Sequence, residues 1–433
     1  MDGTSMNGTA RLAGLRCPRC GHRTSPDDLT FFRGCPVCAK DNVPVNYACD
    51  LPADQVTEAL HRARADRPGL WRWGDALPVA PDRPVSLGEG GTPLLPVPGL
   101  GSRLGHPRLY VKNESANPTW SHKDRLAALT VAAAAEVGAT TVTAASTGNH
   151  GAALAAYAAR AGLRCVIFTL ASVPETMKTL MLAYGADVIA VPTSEDRYTL
   201  LAEGVERHGW YPGSNAVAPP VGSPPHGVDG YKTIAYEVFE QLGRAAPDVL
   251  VLPVAYGDCL AGVRRGFADL HTAGLIDRPP RLVGAEVFAA LTGALARDTE
   301  DGPSLGPVGM RPTAAFSIAG AYATRQSVRA VRDTHGRAVN VDESALLRAQ
   351  RALAATEGLF VEAAAAVSIA AAESLVRAGA IGAWESVVCL LTSTALKDPA
   401  AARPLLPNVP LVDPSRVPAH DIIDDLSRRE PGP

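Results

Sequence analysis

The chain has 433 residues, of which 46% are hydrophobic and 20% charged, a composition typical of a folded protein with about two or three domains. Its 41 Lys and Arg residues nearly balance its 44 Asp and Glu residues, so no overall basic character predicts a nucleic-acid partner. No apolar run reaches the roughly 18 residues of a membrane span, and residues 1–10 lack the apolar core of a signal peptide. We therefore expect a cytoplasmic protein that binds neither a membrane nor nucleic acid.

Two pairs of cysteines near the N-terminus predict a structural zinc site. Each pair has the C-x-x-C spacing, and 14 residues separate Cys17 and Cys20 from Cys35 and Cys38. Such pairs offer four thiolates to one tetrahedral ion and leave no open position for chemistry. A redox-active dithiol and a nucleic-acid ribbon are the alternatives, and the slightly acidic chain disfavours the second. The other cysteines resemble isolated buried thiols: Cys49, Cys165, Cys259 and Cys389.

The residue pattern that follows predicts alternating strands and helices. A helix is expected at 54–65 and a loop rich in glycine and proline at 81–101. Strands are predicted at 109–112, 142–145, 164–170, 187–191, 249–254, 281–287 and 386–391, helices at 152–161 and 174–184, a long loop at 210–227 and a surface extension from 399. Such alternation is typical of parallel sheets covered by helices on both faces.

The stretch from Asn117 to Arg125, N-P-T-W-S-H-K-D-R, predicts a loop that enters a helix. Ser121 is a candidate N-cap, and Lys123 lies near the helix N-terminus. The positive end of a helix dipole lowers the pKa of a nearby lysine, and a lowered pKa makes its amine nucleophilic enough to form a Schiff base. Without further motifs, a lysine at such a place is usually a solvated surface residue.

A second stretch predicts an anion-binding corner. The strand at 142–145 leads directly into S-T-G-N-H-G at 146–151 and then into a helix. Backbone N–H groups at a helix N-terminus after such a turn bind phosphates and carboxylates. The alternative is an ordinary tight connection between a strand and a helix.

These two motifs resemble those of the threonine synthase family of pyridoxal-phosphate enzymes, and the resemblance extends over roughly residues 84–398. Three further motifs contribute to it: E-G-G-T-P-L at 89–94, D-G-Y-K-T at 229–233 and T-S-T-A-L-K-D at 392–398. The resemblance implies an α/β fold of type II, like the tryptophan synthase β subunit, with two α/β domains containing parallel-rich sheets and an N-terminal zinc ribbon. The expected boundaries are 1–48 for the ribbon, 49–118 with 231–433 for the large cofactor domain, and 119–230 for a small mobile domain. A homodimer is also expected.

The resemblance further implies which residues bind pyridoxal 5′-phosphate. Lys123 would be the Schiff-base lysine, Asn149 would bind the ring hydroxyl, and Thr392 would face the pyridine nitrogen, with Thr394 as the alternative. The phosphate loop would comprise Ala255, Tyr256, Gly257, Asp258 and Cys259. The carboxylate of Asp258 would repel a phosphate, unless it caps its helix with the side chain turned away.

The same resemblance assigns a substrate side to the pocket. The substrate carboxylate would be received by Ser146, Thr147 and the backbone N–H groups from Gly148 to His150, and Trp120 beside the lysine would shape the substrate pocket. Capping of the helix is the alternative role for Ser146 and Thr147. Trp120 stands where the family has glycine. Gly227 stands where threonine synthases carry an arginine that holds the phosphate of phosphohomoserine, and His226, Arg125 or Arg311 are candidate substitutes.

The implied function is a pyridoxal-phosphate dependent lyase or synthase of the threonine synthase type, acting on a small amino-acid substrate. It would eliminate a leaving group from the side chain and then add water or another nucleophile. One alternative is a β-eliminating serine or threonine dehydratase, suggested by His150 after Asn149. Another is a non-catalytic family member, suggested by the altered phosphate loop.

Overall fold

The computed structural model describes residues 12–62, 66–79, 84–297, 306–403, 406, 408–409, 411 and 418–428. Their strands form three sheets. The first is small and antiparallel, in the order β2-β1-β3, with β1 (Leu15–Arg16), β2 (Arg23–Thr24) and β3 (Ala48–Cys49). The second is parallel, in the order β8-β7-β6-β9, with β6 (Thr141–Ala145), β7 (Arg164–Leu170), β8 (Asp187–Val191) and β9 (Tyr211–Pro212).

The third sheet has six strands in the order β12-β11-β10-β13-β5-β4, and all but the edge strand β4 run parallel to their neighbours. Its strands are β4 (Leu94–Pro96), β5 (Leu109–Asn113), β10 (Val249–Pro253), β11 (Arg281–Glu286), β12 (Arg337–Asn340) and β13 (Val387–Leu391). In register, Val249 of β10 lies beside Arg281 of β11 and Val387 of β13.

Helices connect these strands. They are α1 (Pro36–Ala39), α2 (Ala53–Arg62), α3 (Pro98–Leu104), α4 (Lys123–Glu136), α5 (Asn149–Ala161), α6 (Glu175–Ala183), α7 (Ser194–His208), α8 (Pro225–Asp229), α9 (Lys232–Gln241), α10 (Asp258–Thr272), α11 (Ala290–Ala296), α12 (Arg325–Arg332), α13 (Glu343–Glu357), α14 (Ala363–Arg377), α15 (Pro399–Ala402) and α16 (Ala419–Ser427). Short 3-10 helices occur at Leu29–Arg33, Gly69–Ala76, Glu114–Ala116, Phe316–Ile318 and Ala395–Lys397. Within the described ranges, no helix has both the length and the apolar character needed to cross a bilayer.

The central strands of the six-stranded sheet are buried on both faces. Every residue of β10 and β13 is buried, as expected for parallel strands between two helical layers. Because successive side chains of a strand point to opposite faces, Leu250 and Leu252 enter the core under α9 and α10. Val249 and Val251 enter the core under α13 and α14. The sheet is therefore a rigid platform whose strand ends present the loops of the site.

The four-stranded sheet shares its hydrophobic core with residues 12–48, which we call the N-terminal module. The alanine-rich helices α4 and α5 pack on this sheet, and the Phe31 ring of the module lies 5.7 Å from the Tyr211 ring of β9. Small alanine side chains let these helices approach one another closely. The module is therefore part of the same hydrophobic core that positions the helix starting at Lys123.

The fold class predicted from the sequence is confirmed, because both larger sheets are parallel-rich and covered by helices. The predicted strands are all present within one or two residues of their expected ends. The predicted domain boundaries stay predictions.

Three local predictions were wrong. The loop predicted at 210–227 contains β9 and begins α8, because a two-residue strand shows no periodicity and proline suits the first turn of a helix. The loop predicted at 81–101 contains β4 and most of α3, and its residues 81–83 lie outside the described residues. The helix predicted from 152 begins at Asn149. The predicted helix 54–65 is seen as Ala53–Arg62, and residues 63–65 are not described.

Candidate active site

Lys123 is the first residue of α4, and it is half-buried. The Nζ atom is 5.7 Å from the centroid of the Tyr231 ring. Burial lowers the pKa of Lys123, and the nearby Asp258 carboxylate and Cys259 offset part of this effect. The direction agrees with the expectation from the sequence, although burial rather than the helix dipole is the leading cause. A larger fraction of this amine is therefore neutral and nucleophilic near pH 7 than for a solvated lysine.

Ser121 does not cap this helix, so that prediction was wrong. The N-cap is His122, which has a helical backbone and no capping side-chain bond. Ser121 instead pairs with Ser393 in an isolated antiparallel bridge. Its Oγ is buried, and no partner lies within hydrogen-bond distance among the described residues.

His122 connects the lysine loop to the end of β13. Its backbone N–H and its Nδ1–H both donate to the Thr392 carbonyl oxygen, at 2.9 and 3.2 Å. Its ring also stacks on Tyr231, with the centroids 5.4 Å apart. Burial and the charge of Lys123 hold the pKa of His122 well below its usual value. A neutral imidazole thus fixes Lys123 and Thr392 relative to each other.

Trp120 adopts a left-handed backbone with a φ of 58°, and its side chain is 45% exposed. This conformation favours glycine, because a β-carbon there costs roughly 1–2 kcal/mol. It gives a physical reason for the family's glycine beside the lysine. The loop is held by the Trp120 N–H, which donates to Asn117 O at 2.8 Å, and by Ser393 Oγ, which donates to Trp120 O at 3.0 Å.

Asn149 lies at the start of α5 inside a cluster of polar side chains from the end of the other sheet. Its Nδ2 donates to both carboxylate oxygens of Glu362, at 3.0 and 3.1 Å. Its Oδ1 accepts from Lys397 Nζ at 2.6 Å and from Ser393 Oγ at 3.2 Å. Burial raises the pKa of Glu362 and lowers that of Lys397 to about 8.

Sequence reasoning did not assign Glu362, Ser393 or Lys397 to the site. Ser393 and Lys397 stand in the T-S-T-A-L-K-D motif after the last strand, whereas Glu362 stands immediately before α14. The signal for Lys397 was a lysine six residues after the end of an apolar strand. More than 200 residues separate Glu362 and Lys397 from Asn149, so their contact follows only from the fold.

The S-T-G-N-H turn lies at the carboxyl end of β6, as predicted. Ser146 Oγ accepts from the N–H groups of Gly148 and Gly151, at 3.3 and 2.8 Å, and therefore caps α5. His150 Nε2–H donates to Gly213 O at 2.8 Å. Burial, followed by the charge of Lys123, lowers the pKa of His150 to about 3, so its ring is neutral. Thr147 is half-buried in the same turn.

The candidate phosphate loop, Ala255 to Cys259, ends at the N-terminus of α10. Gly257 is its N-cap with a φ of 78°, and a β-carbon there would overlap the Ser327 side chain. The first bond back to the cap runs from Ala261 N to Gly257 O. The N–H groups of residues 258–260 therefore have no acceptor within the helix, and they form an anion-binding N-terminus.

Asp258 does not cap α10, so the predicted capping role was wrong. Its Oδ1 accepts from Ser223 N at 3.0 Å and from Gln326 Nε2 at 2.5 Å, and its Oδ2 accepts from Ser223 Oγ at 2.7 Å. Asn46 Nδ2 donates in turn to Ser223 O at 2.9 Å. The carboxylate is committed to a neighbouring loop that the N-terminal module supports.

Gly227 stands where the resemblance predicts an arginine, and the structure leaves no room for a side chain at this position. A β-carbon at Gly227 would overlap Thr130 Oγ1 and lie 3.0 Å from Leu126 O. His226 is fully buried and its Nε2–H donates to Ala13 O at 3.0 Å, while burial lowers its pKa. It is a neutral residue facing the N-terminal module, so it does not substitute as an anion contact.

Of the other two candidate substitutes, Arg125 is engaged elsewhere and Arg311 is exposed. Arg125 is fully buried and pairs with Glu114 at 2.7 Å and with Glu237 at 2.6 Å. The guanidinium of Arg311 lies 5.8 Å from the centroid of the Phe288 ring. A buried arginine between two carboxylates is not available to a substrate phosphate.

The four N-terminal cysteines come together as predicted. Their Sγ atoms all lie within 4.8 Å of one another, with Cys17 and Cys38 3.6 Å apart and Cys20 and Cys35 3.5 Å apart. None of the four is in a disulfide. These spacings fit four thiolates around a single tetrahedral ion.

The site as a whole fits pyridoxal phosphate. It combines a half-buried lysine whose amine has a lowered pKa, a helix N-terminus with unused donors, and two buried hydroxyls, Ser121 Oγ and Tyr231 Oη, that have no partner among the described residues. Buried polar atoms without partners are rare in folded proteins and often indicate a missing ligand or water.

Comparisons with known proteins agree with this geometry. The family described as "Pyridoxal-phosphate dependent enzyme" matches residues 85–393. Threonine synthase of Methanosarcina acetivorans is 32% identical over 393 residues, 89% of this chain and 92% of the relative. Threonine synthase of Methanocaldococcus jannaschii is 33% identical over 396 residues, 89% and 93% of the two chains.

A solved structure shows the same fold. The processed form of threonine deaminase isoform 2 from Solanum lycopersicum matches with a TM-score of 0.60 at 22% identity, over 72% of this chain and 87% of that one. The chain therefore belongs to the family of pyridoxal-phosphate dependent enzymes, in the fold type II group that includes the threonine synthases.

Proposed function

We propose that this protein is a pyridoxal-phosphate dependent lyase or synthase of the threonine synthase type, acting by elimination and replacement on an amino-acid side chain. The observation that carries the proposal is the half-buried Lys123, whose amine has a lowered pKa, beside two anion-binding helix starts. Ser393 links the parts, since its Oγ reaches both Trp120 O and Asn149 Oδ1. The lysine loop and the start of α5 thus form one site.

The chain offers a partner for each part of the cofactor. Lys123 would carry it covalently, the Asn149 amide would bind its ring hydroxyl, and the N–H groups of residues 258–260 would bind its phosphate. Thr394 Oγ1 accepts from Leu396 N at 3.3 Å, which favours Thr392 as the residue facing the ring nitrogen. The bound cofactor supplies an electron sink for negative charge at the substrate Cα.

The protein residues would orient the substrate and move protons. The α5 N-terminus favours the substrate carboxylate, with Thr147, the N–H groups of Asn149 and His150 and the hydroxyl proton of Ser146 as donors, while the Gly148 N–H bonds to Ser146 Oγ. Lys123 would take a proton from Cα and return it further along the side chain, because a lowered pKa brings its amine closer to the working pH.

The alternatives receive less support. His150 suggested a dehydratase, but its Nε2–H is committed to Gly213 O and its pKa is about 3, so it is a poor proton carrier near pH 7. The altered phosphate loop suggested a non-catalytic protein, but the helix N-terminus that binds an anion is retained.

The test of the proposal is a labelling experiment. Purified protein incubated with pyridoxal phosphate should absorb at about 410–430 nm by the known chemistry of the cofactor. Borohydride should then fix the label to the peptide containing Lys123. Lys123→Ala should abolish the label, whereas Lys112→Met should keep it. Label on Lys112 or Lys232 would contradict the assignment, and a colourless protein would refute the function.

The proposal includes one structural zinc ion held by the four N-terminal cysteines. Elemental analysis should give about one zinc per chain, because four close thiolates form a closed site. Cys35→Ser should lower this ratio, whereas Cys389→Ser, which changes a cysteine buried elsewhere, should not. Zinc-free protein with four readily titrated thiols would contradict it.

The proposal also extends to a homodimer in the cytoplasm, and both points are supported by the family resemblance. Light scattering should give a mass of about 90 kDa, twice the 45.1 kDa of the chain. A mass that stays at the monomer value across the micromolar range would refute the dimer.

A further inference from the structure

Lys397 is a buried lysine with an unusual partner. Its side chain is 2% exposed, and its Nζ lies 2.6 Å from the amide oxygen of Asn149 rather than against a carboxylate. The nearest carboxylate partner in this cluster is Glu362, which contacts the other end of the same amide. The Asn149 amide therefore lies between a cation and an acid that it keeps apart.

This arrangement determines which way the amide faces. An ammonium group only donates hydrogen bonds and an ionised carboxylate only accepts them. The atom facing Lys397 must therefore be oxygen, and the atom facing Glu362 must be nitrogen. Reversing the amide would place NH₂ against NH₃⁺ and oxygen against carboxylate, and both contacts would become repulsive. Ser393 Oγ lies 3.2 Å from the same oxygen and has a single proton to share between it and Trp120 O.

An amide nitrogen carries two hydrogens. Both carboxylate oxygens of Glu362 lie close to the amide nitrogen of Asn149. One amide hydrogen can therefore remain hydrogen-bonded to Glu362 while the other is donated to an oxygen of the ligand. An asparagine without such neighbours would present oxygen or nitrogen with similar ease. If the amide oxygen of Asn149 faced the cofactor, it would repel the oxygen on the cofactor ring.

We propose that Lys397 is a positioning residue for the cofactor site, which acts through Asn149 by holding the amide oxygen so that the amide nitrogen faces the cofactor ring. Glu362 is its counterpart at the other end of the amide. This inference rests on the proposed function, because it requires that Asn149 binds the cofactor.

The lowered pKa of Lys397 agrees with this role. Burial disfavours its charge, and Glu362 and Asp124 are the acidic groups that favour it. A buried lysine retained at such a cost without a direct ion pair suggests that its hydrogen bond to Asn149 is what matters.

The experiment compares cofactor binding with folding. Lys397→Met removes the donor and keeps the volume. We expect the dissociation constant for pyridoxal phosphate, measured on the cofactor-free protein by quenching of tryptophan fluorescence, to rise on the order of tenfold to a hundredfold. The absorption band of the bound cofactor should also shift, because its ring oxygen loses a fixed donor. Lys397→Gln retains a donor and should give an intermediate affinity.

Lys112→Met is the matched control. Lys112 is equally buried and its Nζ lies 2.6 Å from Glu237, in an ion-pair network that does not include Asn149. It should lower the free energy of unfolding without moving the absorption band or the cofactor affinity. If Lys397→Met lowers stability but keeps the wild-type affinity and band, Lys397 is only structural and the inference is wrong.

Two further variants keep the test decisive. Should Lys397→Met not fold, Glu362→Gln examines the same amide from its other end, because a glutamine can both donate and accept and no longer dictates the orientation. We expect weaker binding and a shifted band, and wild-type values would overturn the inference. In Lys397→Met/Glu362→Gln the buried charges are balanced, so a purely electrostatic role predicts recovered affinity, whereas a positioning role predicts that affinity stays low.

These experiments distinguish a failure of this inference from a failure of the proposed function. If the wild-type protein does not take up pyridoxal phosphate, the proposed function fails. If the wild-type protein takes it up and the Lys397 and Glu362 variants do so equally well, only the positioning role fails.

Discussion

A β-carbon on Gly227 of α8 would overlap Thr130 Oγ1 of α4, so the two helices touch where no side chain fits. The place where the resemblance predicts a phosphate-holding arginine is therefore closed by packing as well as lacking the residue. The candidate substitutes His226 and Arg125 are held by Ala13 O and by two carboxylates.

We expect phosphohomoserine to be a poor substrate for this reason. Losing one partner of a buried charge pair costs roughly 2–5 kcal/mol. Because roughly 1.4 kcal/mol corresponds to a tenfold change, we expect kcat/KM to be lower by about thirtyfold to several-thousandfold. Steady-state kinetics with phosphohomoserine, compared with unphosphorylated hydroxy-amino acids, provide the check. A kcat/KM for phosphohomoserine above roughly 10⁴ M⁻¹s⁻¹, ordinary for a natural substrate, would show that another residue holds the phosphate.

The close contact at Gly227 gives a stability prediction. Gly227→Ala should lower the free energy of unfolding by about 1–3 kcal/mol, the usual cost of overpacking. Gly293 of α11 is the matched control, since a β-carbon there meets nothing within 4 Å. Gly293→Ala should be neutral or stabilise by about 0.5–1 kcal/mol, because alanine loses less backbone entropy in a helix. Urea unfolding measures both, and equal effects would mean that α8 is not packed against α4 as described.

The hydrogen bonds between Ser223 and Asp258 should tune the affinity for the cofactor phosphate. Ser223→Ala frees one oxygen of a carboxylate next to the α10 N-terminus, so repulsion of the phosphate should raise the dissociation constant for pyridoxal phosphate several-fold. Asp258→Asn removes the charge and should lower or preserve that constant. The control is Ser344→Ala, which removes an exposed serine that donates to Asp342. Weaker binding by Asp258→Asn than by Ser223→Ala would show that the carboxylate favours the cofactor.

Asp124 gives a prediction on pH. Burial raises its pKa to about 6, against contacts from Thr119 and Tyr157 that oppose the shift. The native state therefore binds this proton more tightly than the unfolded chain, whose aspartate pKa is about 3.9. The ionised Asp124 carboxylate therefore lowers the free energy of unfolding above pH 6, and this destabilisation decreases as the pH falls through 6.

Relative to Asp124→Asn, the wild-type protein should thus gain about 1.4 kcal/mol of unfolding free energy between pH 8 and pH 5, most of it below pH 6. Urea titrations of both proteins across pH 5–8 measure the difference. Parallel pH profiles would mean that Asp124 titrates normally in the native state.

Local patterns were sufficient for much of this protein. Apolar runs such as 249–254 and 386–391 predicted buried parallel strands, because strands between two helical layers are hydrophobic on both faces. Two short motifs were sufficient to predict the family, and the family comparison confirms it. The two C-x-x-C pairs predicted a four-cysteine cluster, since both pairs lie within 22 residues and a short ribbon can close on itself.

Only the tertiary structure decided which partners the site residues have. Asp258 bonds to Ser223, 35 residues away, and Asn149 bonds to Lys397, 248 residues away. Such contacts arise where the end of one sheet meets a loop or helix start of the other, and no local periodicity encodes them. The same holds for Ser121, whose expected capping role was lost to a bridge with Ser393. The sequence alone determined the longer strands and the chemistry that the motifs carry, because both depend on neighbouring residues, whereas it missed short elements such as β4 and β9. The orientation of each functional group was decided by packing between distant segments, because a hydrogen bond depends on where both of its partners lie in space.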